Sequence, residues 1–388
     1  MNRMAVAEEA YRLSAAEALP VIPLYTLAGY LLAEGSSGRR LLRTFQATAG
    51  WVPGSLAVVS TLLLAFFTPL TGASGVTILS LGGLILPLMT KAGYPAKSSI
   101  GLVTVAGSIG LLLPPSTPVI LFAIYAHTPI PDLFLGALLP GLLLIAAVTF
   151  WGARQGLKAG VGRQAFSTRE ALSAAWNAKW DLLLPVMIVA GIFGGYTAPV
   201  EAAAVTVLYA FIVEFLIHGD LSVTKDLPRI CVECSTLVGG FLIILSVALG
   251  LTNYLDYADL PVRALEWVQL HVHSPAIFLL VLNLFLIIVG ALMDIYSAIL
   301  IVVPLIIPMA AAYGINPVHL GVVFLANMEL GYLMPPMGEN LFLSSYRFQQ
   351  PLGRICLATA PYLLIILLVV LLITYVPALT LSPISWFR

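Results

Sequence analysis

Residues 110–126 read GLLLPPSTPVILFAIYA and residues 331–347 read GYLMPPMGENLFLSSYR. Both are apolar stretches cut in the middle by a proline pair, and they lie 221 positions apart. At the same offset Pro87 falls on Pro308, Gly93 on Gly314, Gly110 on Gly331, Tyr125 on Tyr346 and Pro140 on Pro361, with no gap in the run. Proline removes a backbone donor and glycine admits conformations that other residues avoid. Two copies sharing this punctuation should therefore break, turn and resume their helices at the same places. In a chain this apolar, the pattern predicts a secondary-transporter architecture built from two structural repeats.

Composition narrows the class. At 60% hydrophobic and 9% charged residues, with mean hydropathy +1.02, the 388-residue chain has far too little charge for a soluble globule, in which about 25% is usual. It reads as a polytopic, all-α membrane protein. The formal net charge is zero, which removes the case for a nucleic-acid partner. Cys231, Cys234 and Cys356 provide no disulfide framework, and the CxxC of the first two has no second pair to complete a zinc site.

Apolar runs long enough to cross about 30 Å of hydrocarbon set the organisation. Residues 1–52 hold a first scaffold span at 20–34 and a basic amphipathic arm with Arg39, Arg40, Arg43 and Trp51, expected to lie on the membrane surface. Residues 53–152 form a first transport repeat. Its limbs 53–69 and 75–90 are short for full crossings and flank a polar tip, which predicts a re-entrant hairpin. A crossing at 97–126 broken at the proline pair follows, then a span at 132–152. Residues 153–179 read as a cytoplasmic loop, and residues 180–273 as scaffold spans at 180–196, 199–217 and 237–258 with a second arm at 260–272. Residues 274–378 repeat the transport unit, with a hairpin at 275–292 and 296–311, a broken crossing at 318–347 and a span at 355–376; residues 379–388 remain as a periplasmic tail.

Basic loops orient the chain, because Lys and Arg accumulate on the cytoplasmic side. Lys91, Lys97, Arg154, Arg347 and Arg354 fall inside and the second arm outside, so the two repeats come out with opposite topology, Arg263 being the exception to the charge count. The spans at 180–196 and 199–217 have counterparts in the first repeat only at negative residue numbers. Two leading helices are therefore expected upstream or on another chain. Glu8 and Glu9 precede an amphipathic stretch without the basic start or apolar core of a signal peptide.

Where a helix unwinds inside a membrane, freed carbonyls can bind a desolvated cation while the next half-helix points its positive end into the cavity. In the first half, Thr71, Ser74 and Gly75 at the hairpin tip are expected to meet Pro114, Ser116 and Thr117 at the break. In the second, Asp294 and Ser297 would meet Met334, Pro335, Gly338 and Asn340, giving a pseudosymmetric second cation site. These are oxygen donors, as a hard cation requires.

Asp294 and Glu329 are intramembrane carboxylates, costing about 2.5–3.5 kcal/mol at a bilayer centre on insertion scales, and so point to function. Glu329 either pairs within the bundle or faces a watery cavity, and Asn327 either binds a cation or bridges helices. Glu201 follows Pro199 in the first turn of a helix, where capping accounts for it. His127 sits in a turn between spans, and Trp51, Trp151, Trp180 and Trp267 read as interface anchors.

The stretches TGASGVTILSLGGLILP, GSIGLLLPPSTPVILF, GGYTAPVEAAAV, MDIYSAILIVVPLIIP and NMELGYLMPPMGENLF, in this order, resemble the large membrane subunit (DctM-like) of tripartite ATP-independent periplasmic (TRAP) transporters over nearly the whole chain. The resemblance implies a sodium-coupled, elevator-type importer of small carboxylates in a bacterial inner membrane. It also implies a small four-helix membrane subunit and a periplasmic substrate-binding protein as partners. The carboxylate would then sit between the hairpin tips, held by half-helix N-termini and by Thr71, Ser74, Thr77, Ser116, Ser297 and Asn340, since no Lys or Arg lies in these segments. Two features depart from the family pattern: the first tip is TGASG where relatives carry a serine-richer GISGS type, and Glu339 stands where many relatives are apolar.

Two other functions compete with this one. An unassisted sodium/carboxylate symporter of related fold would need no binding protein. A membrane-embedded enzyme would need titratable groups clustered at one depth, and the sequence holds no HExxH, GxSxG or P-loop motif.

Overall fold

The computed structural model describes residues 19–162 and 165–387, and every regular element among them is a helix. Seven helices are long and apolar enough to cross a membrane, or up to nine if each of two bent pairs is one span. Glu8, Glu9 and Arg163 lie outside the described residues.

The chain enters through α1 (Val21–Glu34) and an arm, α2 (Ser37–Ala49). A hairpin of α3 (Ser55–Thr71) and α4 (Ser74–Lys91) follows. The broken crossing then runs as α5 (Ala96–Ile109), a 3-10 turn (Gly110–Leu112) and α6 (Thr117–Tyr125), bent by 42°, before α7 (Ile130–Lys158) returns. The middle of the chain holds α8 (Thr168–Asn177), α9 (Lys179–Phe193), α10 (Pro199–Phe211) with a π-helical end (Ile212–Ile217), the long α11 (Asp226–Tyr257) and a second arm, α12 (Leu260–His271). The second unit comprises the hairpin α13 (Pro275–Leu292) and α14 (Ile295–Ala312), the broken pair α15 (Pro317–Gly331) and α16 (Glu339–Phe348), α17 (Leu352–Tyr375) and α18 (Ala378–Phe387).

Shifted by 221 positions, the bounds of α4 become 295–312, which are those of α14, and α5 lands on α15 to within a residue. Tertiary contacts recur as well. A β-carbon on Gly331 would lie 2.6 Å from the Gly290 backbone; one on Gly110 would lie 2.6 Å from the Ala65 carbonyl oxygen and 2.9 Å from Pro69 Cδ. Pro69 and Gly290 are themselves register partners, so each broken helix crosses the first limb of its own hairpin at the same point. Lipid gives apolar helices little reason to associate, and close backbone approach at small residues is one of the forces that does.

The two units are interlocked. Phe122 on α6 and Phe324 on α15 have ring centroids 5.5 Å apart, and the Thr104 hydroxyl on α5 donates to Ser344 Oγ on α16 at 2.8 Å. Tyr362 on α17 donates to the Ser98 carbonyl at 3.3 Å.

The first arm is tied to the rest of the protein along one face. Arg40 places Nε 2.7 Å from Asp181, Nη2 2.6 Å from Glu214 and Nη1 2.6 Å from Asp220. Ser37, one turn earlier, donates to Glu214 at 2.7 Å and contacts Asp181. The Arg40 side chain is 12% exposed, and Asp181 and Glu214 are buried. This arm is pinned to α9, α10 and the residues after them, since a buried carboxylate needs a cation beside it.

Three boundaries also move. α11 starts at Asp226, eleven residues before the apolar run at 237, because its first turns are charged and held by Arg229 pairing with Glu34 at 2.7 Å and Glu233 at 3.2 Å. Inside the expected loop 153–179, α7 runs on to Lys158 and α8 forms behind its cap Ser167, whose side chain accepts from Glu170 N. The expected tail 379–388 is helical to Phe387, with Thr380 Oγ1 2.9 Å from His319 Nδ1. Apolar-run reading misses the first two because charges and caps hold them, and the third because it is too short to cross, though Leu379, Leu381 and Ile384 pack on the core.

Lys91 and Ala312 are register partners, both exposed. Cysteines placed at these positions should react with an impermeant thiol reagent from opposite faces of the membrane; labelling from one face would contradict the inverted repeat. Arg40→Met should destabilise the protein by about 3–5 kcal/mol in detergent unfolding, by stranding buried carboxylates. Arg43→Met, which breaks a half-exposed pair with Glu170, should cost about 1 kcal/mol or less.

Candidate functional site

The first hairpin turns at Gly72, whose φ of +68° ends α3 in a left-handed cap with its N–H bonded to the Thr68 carbonyl at 3.0 Å. Thr71 spends its hydroxyl locally, donating to Thr68 O at 3.0 Å and lying 3.1 Å from Thr77 Oγ1. The Gly72 carbonyl accepts from the Tyr296 hydroxyl at 2.6 Å, and a β-carbon on Gly72 would lie 2.6 Å from Thr117 Oγ1. A bare glycine is thus wedged between the first break and the second hairpin.

The second tip is built differently. Asp294 is the N-cap of α14: its carboxylate accepts from the backbone N–H of Tyr296 at 2.9 Å and of Ser297 at 3.0 Å, and from the Ser297 hydroxyl at 2.5 Å. The remaining first-turn donor, Ile295 N, is taken by the Tyr332 hydroxyl at 2.5 Å. The register partner of Asp294 is Ala73, which makes no side-chain cap. A carboxylate therefore stands at one tip and a methyl group at the other.

At the first break, Ser116 Oγ and Thr117 Oγ1 are buried without a hydrogen-bond partner. A buried orphan hydroxyl costs roughly 1–3 kcal/mol, so two at consecutive positions are oxygens left free for a further partner. At the second break, a β-carbon on Gly338 would lie 2.5 Å from the Met334 carbonyl oxygen and 2.7 Å from that of Tyr332, a cradle only glycine leaves open. Met337 N donates to Ala291 O at 3.1 Å, tying this break to its hairpin. Asn340 Oδ1 accepts from Ser74 at 2.8 Å, while Asn340 Nδ2 is buried and unpartnered. Both proline pairs, Pro114–Pro115 and Pro335–Pro336, are joined by cis peptide bonds. Pro115 is buried and Pro114 half-buried, whereas Pro335 and Pro336 are exposed, so the first break is covered and the second open.

These contacts regroup the expected residues. Thr71 stays within its hairpin, and Thr117 does meet that tip at Gly72. Ser74 and Gly75, however, face the second break: Ser74 bonds Asn340, and a β-carbon on Gly75 would lie 3.5 Å from Glu339 Oε1. Asp294 and Ser297 are occupied with each other. A small cavity lies where both tips converge, lined by Gly72, Ala73, Ser74, Leu111, Asp294, Tyr296, Tyr332 and Glu339, with Phe241 of α11 closing one side. No Lys or Arg lines it. The N-terminal ends of α4 and α16 do, at Ser74 and Glu339, each a positive dipole end, while that of α14 at Ile295 is already capped by Asp294 and the Tyr332 hydroxyl.

Deeper in α15, Asn327 Nδ2 donates to Asn283 Oδ1 at 2.6 Å, which also accepts from Thr374 at 3.1 Å, so this asparagine bridges helices. Glu329 is buried, makes no side-chain hydrogen bond of ordinary geometry, and interacts with the Leu112 backbone in the first break. Glu201 caps its helix, accepting from Ala198 N at 2.8 Å. Missing from the residues expected on sequence are Tyr296, whose hydroxyl ties the second tip to the first at Gly72, and Tyr332, whose hydroxyl ties the second break to the second tip at Ile295; a tyrosine among aliphatic residues beside a break was the available signal. Among the described residues no group of three His, Cys, Asp or Glu side chains is placed to hold a metal ion.

Comparison with known proteins places these features in context. The profile described as "Tripartite ATP-independent periplasmic transporter, DctM component" matches residues 2–379. A C4-dicarboxylate TRAP transporter large permease protein DctM of Pseudomonas aeruginosa is 34% identical over 371 residues, covering 95% of this chain and 86% of the relative. An isethionate TRAP transporter permease protein DctMQ of Oleidesulfovibrio alaskensis is 31% identical over 92% of this chain and 56% of its own longer length. The crystal structure of the Alcanivorax borkumensis YdaH transporter superposes with TM-score 0.70 at 15% identity, covering 95% of this chain and 86% of that one, a likeness of fold.

Tyr296→Phe removes the donor to the buried Gly72 carbonyl and should cost about 1–3 kcal/mol in detergent unfolding. Ser80→Ala, which removes a bond to the same helix's Val76 carbonyl, should change stability by less than about 0.5 kcal/mol.

Proposed function

The chain belongs to the DctM component family of tripartite ATP-independent periplasmic transporters, and from that premise we propose that it is the large membrane subunit of a sodium-coupled importer of a small carboxylate. Its partners in this reading are a small four-helix membrane subunit and a periplasmic protein that delivers the solute, and its place is the bacterial inner membrane. The observation that carries the coupling is the pair of orphan oxygens, Ser116 Oγ and Thr117 Oγ1, buried beside the bare Gly72 at the first hairpin tip. Hard monovalent cations take neutral oxygen donors of this kind, and the carbonyls cradled at Gly338 offer a second set.

The solute carboxylate is held between the tips by the N-terminal ends of α4 and α16 and by the unpartnered Asn340 Nδ2. Glu339 and Asp294 would repel a second negative charge there, and a bound cation offsets that repulsion. Cation and anion thus favour each other's binding, which is the energetic content of coupling. The cross-repeat bonds Ser74–Asn340, Thr104–Ser344 and Tyr296–Gly72 hold hairpins and broken helices as one body. In the elevator reading that body moves against α1, α9, α10 and α11, with α2 and α12 as the connecting arms.

The test is solute uptake into proteoliposomes by the assembled transporter with both partners present. Ser116→Ala combined with Thr117→Val removes two oxygens at nearly constant volume and should raise the sodium concentration for half-activation about tenfold or more, each tenfold being about 1.4 kcal/mol. Unchanged sodium activation in a normally assembled double variant would return both hydroxyls to a packing role.

A further inference from the structure

We propose that Lys97 and Arg354 form a binding site for the phosphate headgroup of an anionic phospholipid, at the end of the molecule that the loop charges assign to the cytoplasm. A cavity of about 330 Å³ lies between α5 and α17, lined by Ala96, Lys97, Ile100, Gln350, Arg354 and Leu357. Its two cations come from different repeats. Neither makes an ion pair among the described residues, whereas Arg40, Arg43 and Arg229 all do. Neither segment carries a counter-charge of its own: the sequence holds no Asp or Glu between Glu34 and Asp132 and none after Glu339.

Placement within the helices sharpens this. Lys97 lies in the first turn of α5 and Arg354 in the first turn of α17, and neither turn holds an acid. A cation at a helix N-terminus is unfavourable, so the cavity concentrates two side-chain charges and two dipole ends of one sign. The topological preference for basic loops explains why Lys and Arg are abundant at this face, but not why two of them converge on one cavity. Arg354 is also oriented in advance: its Nη1 donates to Gln350 Oε1 at 2.6 Å, and the Gln350 backbone is held by Ser345 through bonds of 3.2 and 2.6 Å.

The flank of the cavity identifies the source of the phosphate. Leu357, at its edge, begins a stripe with Leu364 and Leu368 along one side of α17, with exposures of 64%, 61% and 68%. Spacings of seven and four residues put the three on one helical face, a track for an acyl chain below a headgroup held by Lys97 and Arg354. Basic pockets between membrane helices at the cytoplasmic side suit anionic headgroups on the same physical grounds. A free phosphate would use the cations and leave the stripe idle. The site is independent of which solute the protein carries.

Native mass spectrometry of the purified protein with added phosphatidylglycerol or phosphatidylcholine tests the proposal. The wild type should retain phosphatidylglycerol at least about tenfold more than phosphatidylcholine, a difference of about 1.4 kcal/mol. Lys97→Gln with Arg354→Gln should abolish that preference, and Arg354→Lys should keep most of it. Lys91→Gln with Lys158→Gln, an equal loss of charge at the same face, should leave it intact. Equal retention by the wild type and the Lys97/Arg354 double variant would overturn the site. A thermal shift with inorganic phosphate in phosphatidylcholine nanodiscs, present in the wild type and lost in that variant, would assign the cavity to a soluble anion and overturn the lipid reading.

Discussion

A backbone inside a membrane has no water to satisfy it, so each interruption of a helix must find partners within the protein. The rest of this structure follows from that constraint. Both breaks are packed against hairpins whose own ends are capped, by the left-handed Gly72 in one and by Asp294 and the Tyr332 hydroxyl in the other. Pairing each break with a hairpin explains why the broken helix crosses the first limb at Gly110 and Gly331, where a side chain would not fit. It also brings the N-terminal ends of α4, α14 and α16 to one cavity, where Asp294 and Glu339 stand.

The repeat is symmetric in backbone and asymmetric in chemistry. From the first arm through the broken crossing, element bounds agree to within two residues at an offset of 221. Yet Ala73 stands opposite Asp294, Gly75 opposite Tyr296, Pro118 opposite Glu339 and Val119 opposite Asn340. Nearly all the polar inventory at the cavity is therefore supplied by the second unit, while the first supplies the orphan hydroxyls Ser116 and Thr117. The first break is covered and the second is open, so the two breaks differ in access as well as in the side chains they present. Inequivalent breaks suit the proposed carrier, which would bind an anion and a cation side by side.

Around this unit the charges anchor and orient. Arg40 gathers acids from two helices and the residues after them and fixes the first arm, while Arg154 over Trp151 and Lys179 over Trp176 put basic and aromatic groups together as a membrane interface favours. Long stretches of α11 show apolar side chains outward, including Val232, Ile243 and Val247. In a membrane such a face needs no protein partner to be stable.

The sequence by itself determined where helices stop and restart within the two repeats, because proline and glycine act on the residues next to them, but not at the start of α11, inside the loop 153–179 or in the C-terminal helix. It also determined the repeat, the hairpins, and the presence of intramembrane carboxylates at Asp294 and Glu329. It did not determine partners. Ser74 bonds Asn340 across 266 positions, and Arg40 meets Asp181 across 141. The tips also face each other through Tyr296 and Gly72, a pairing between halves where the sequence suggested pairing within each half. Only the tertiary structure decided these, because a hydrogen bond or ion pair depends on distance and orientation after packing, and those are set by how two inverted units interlock.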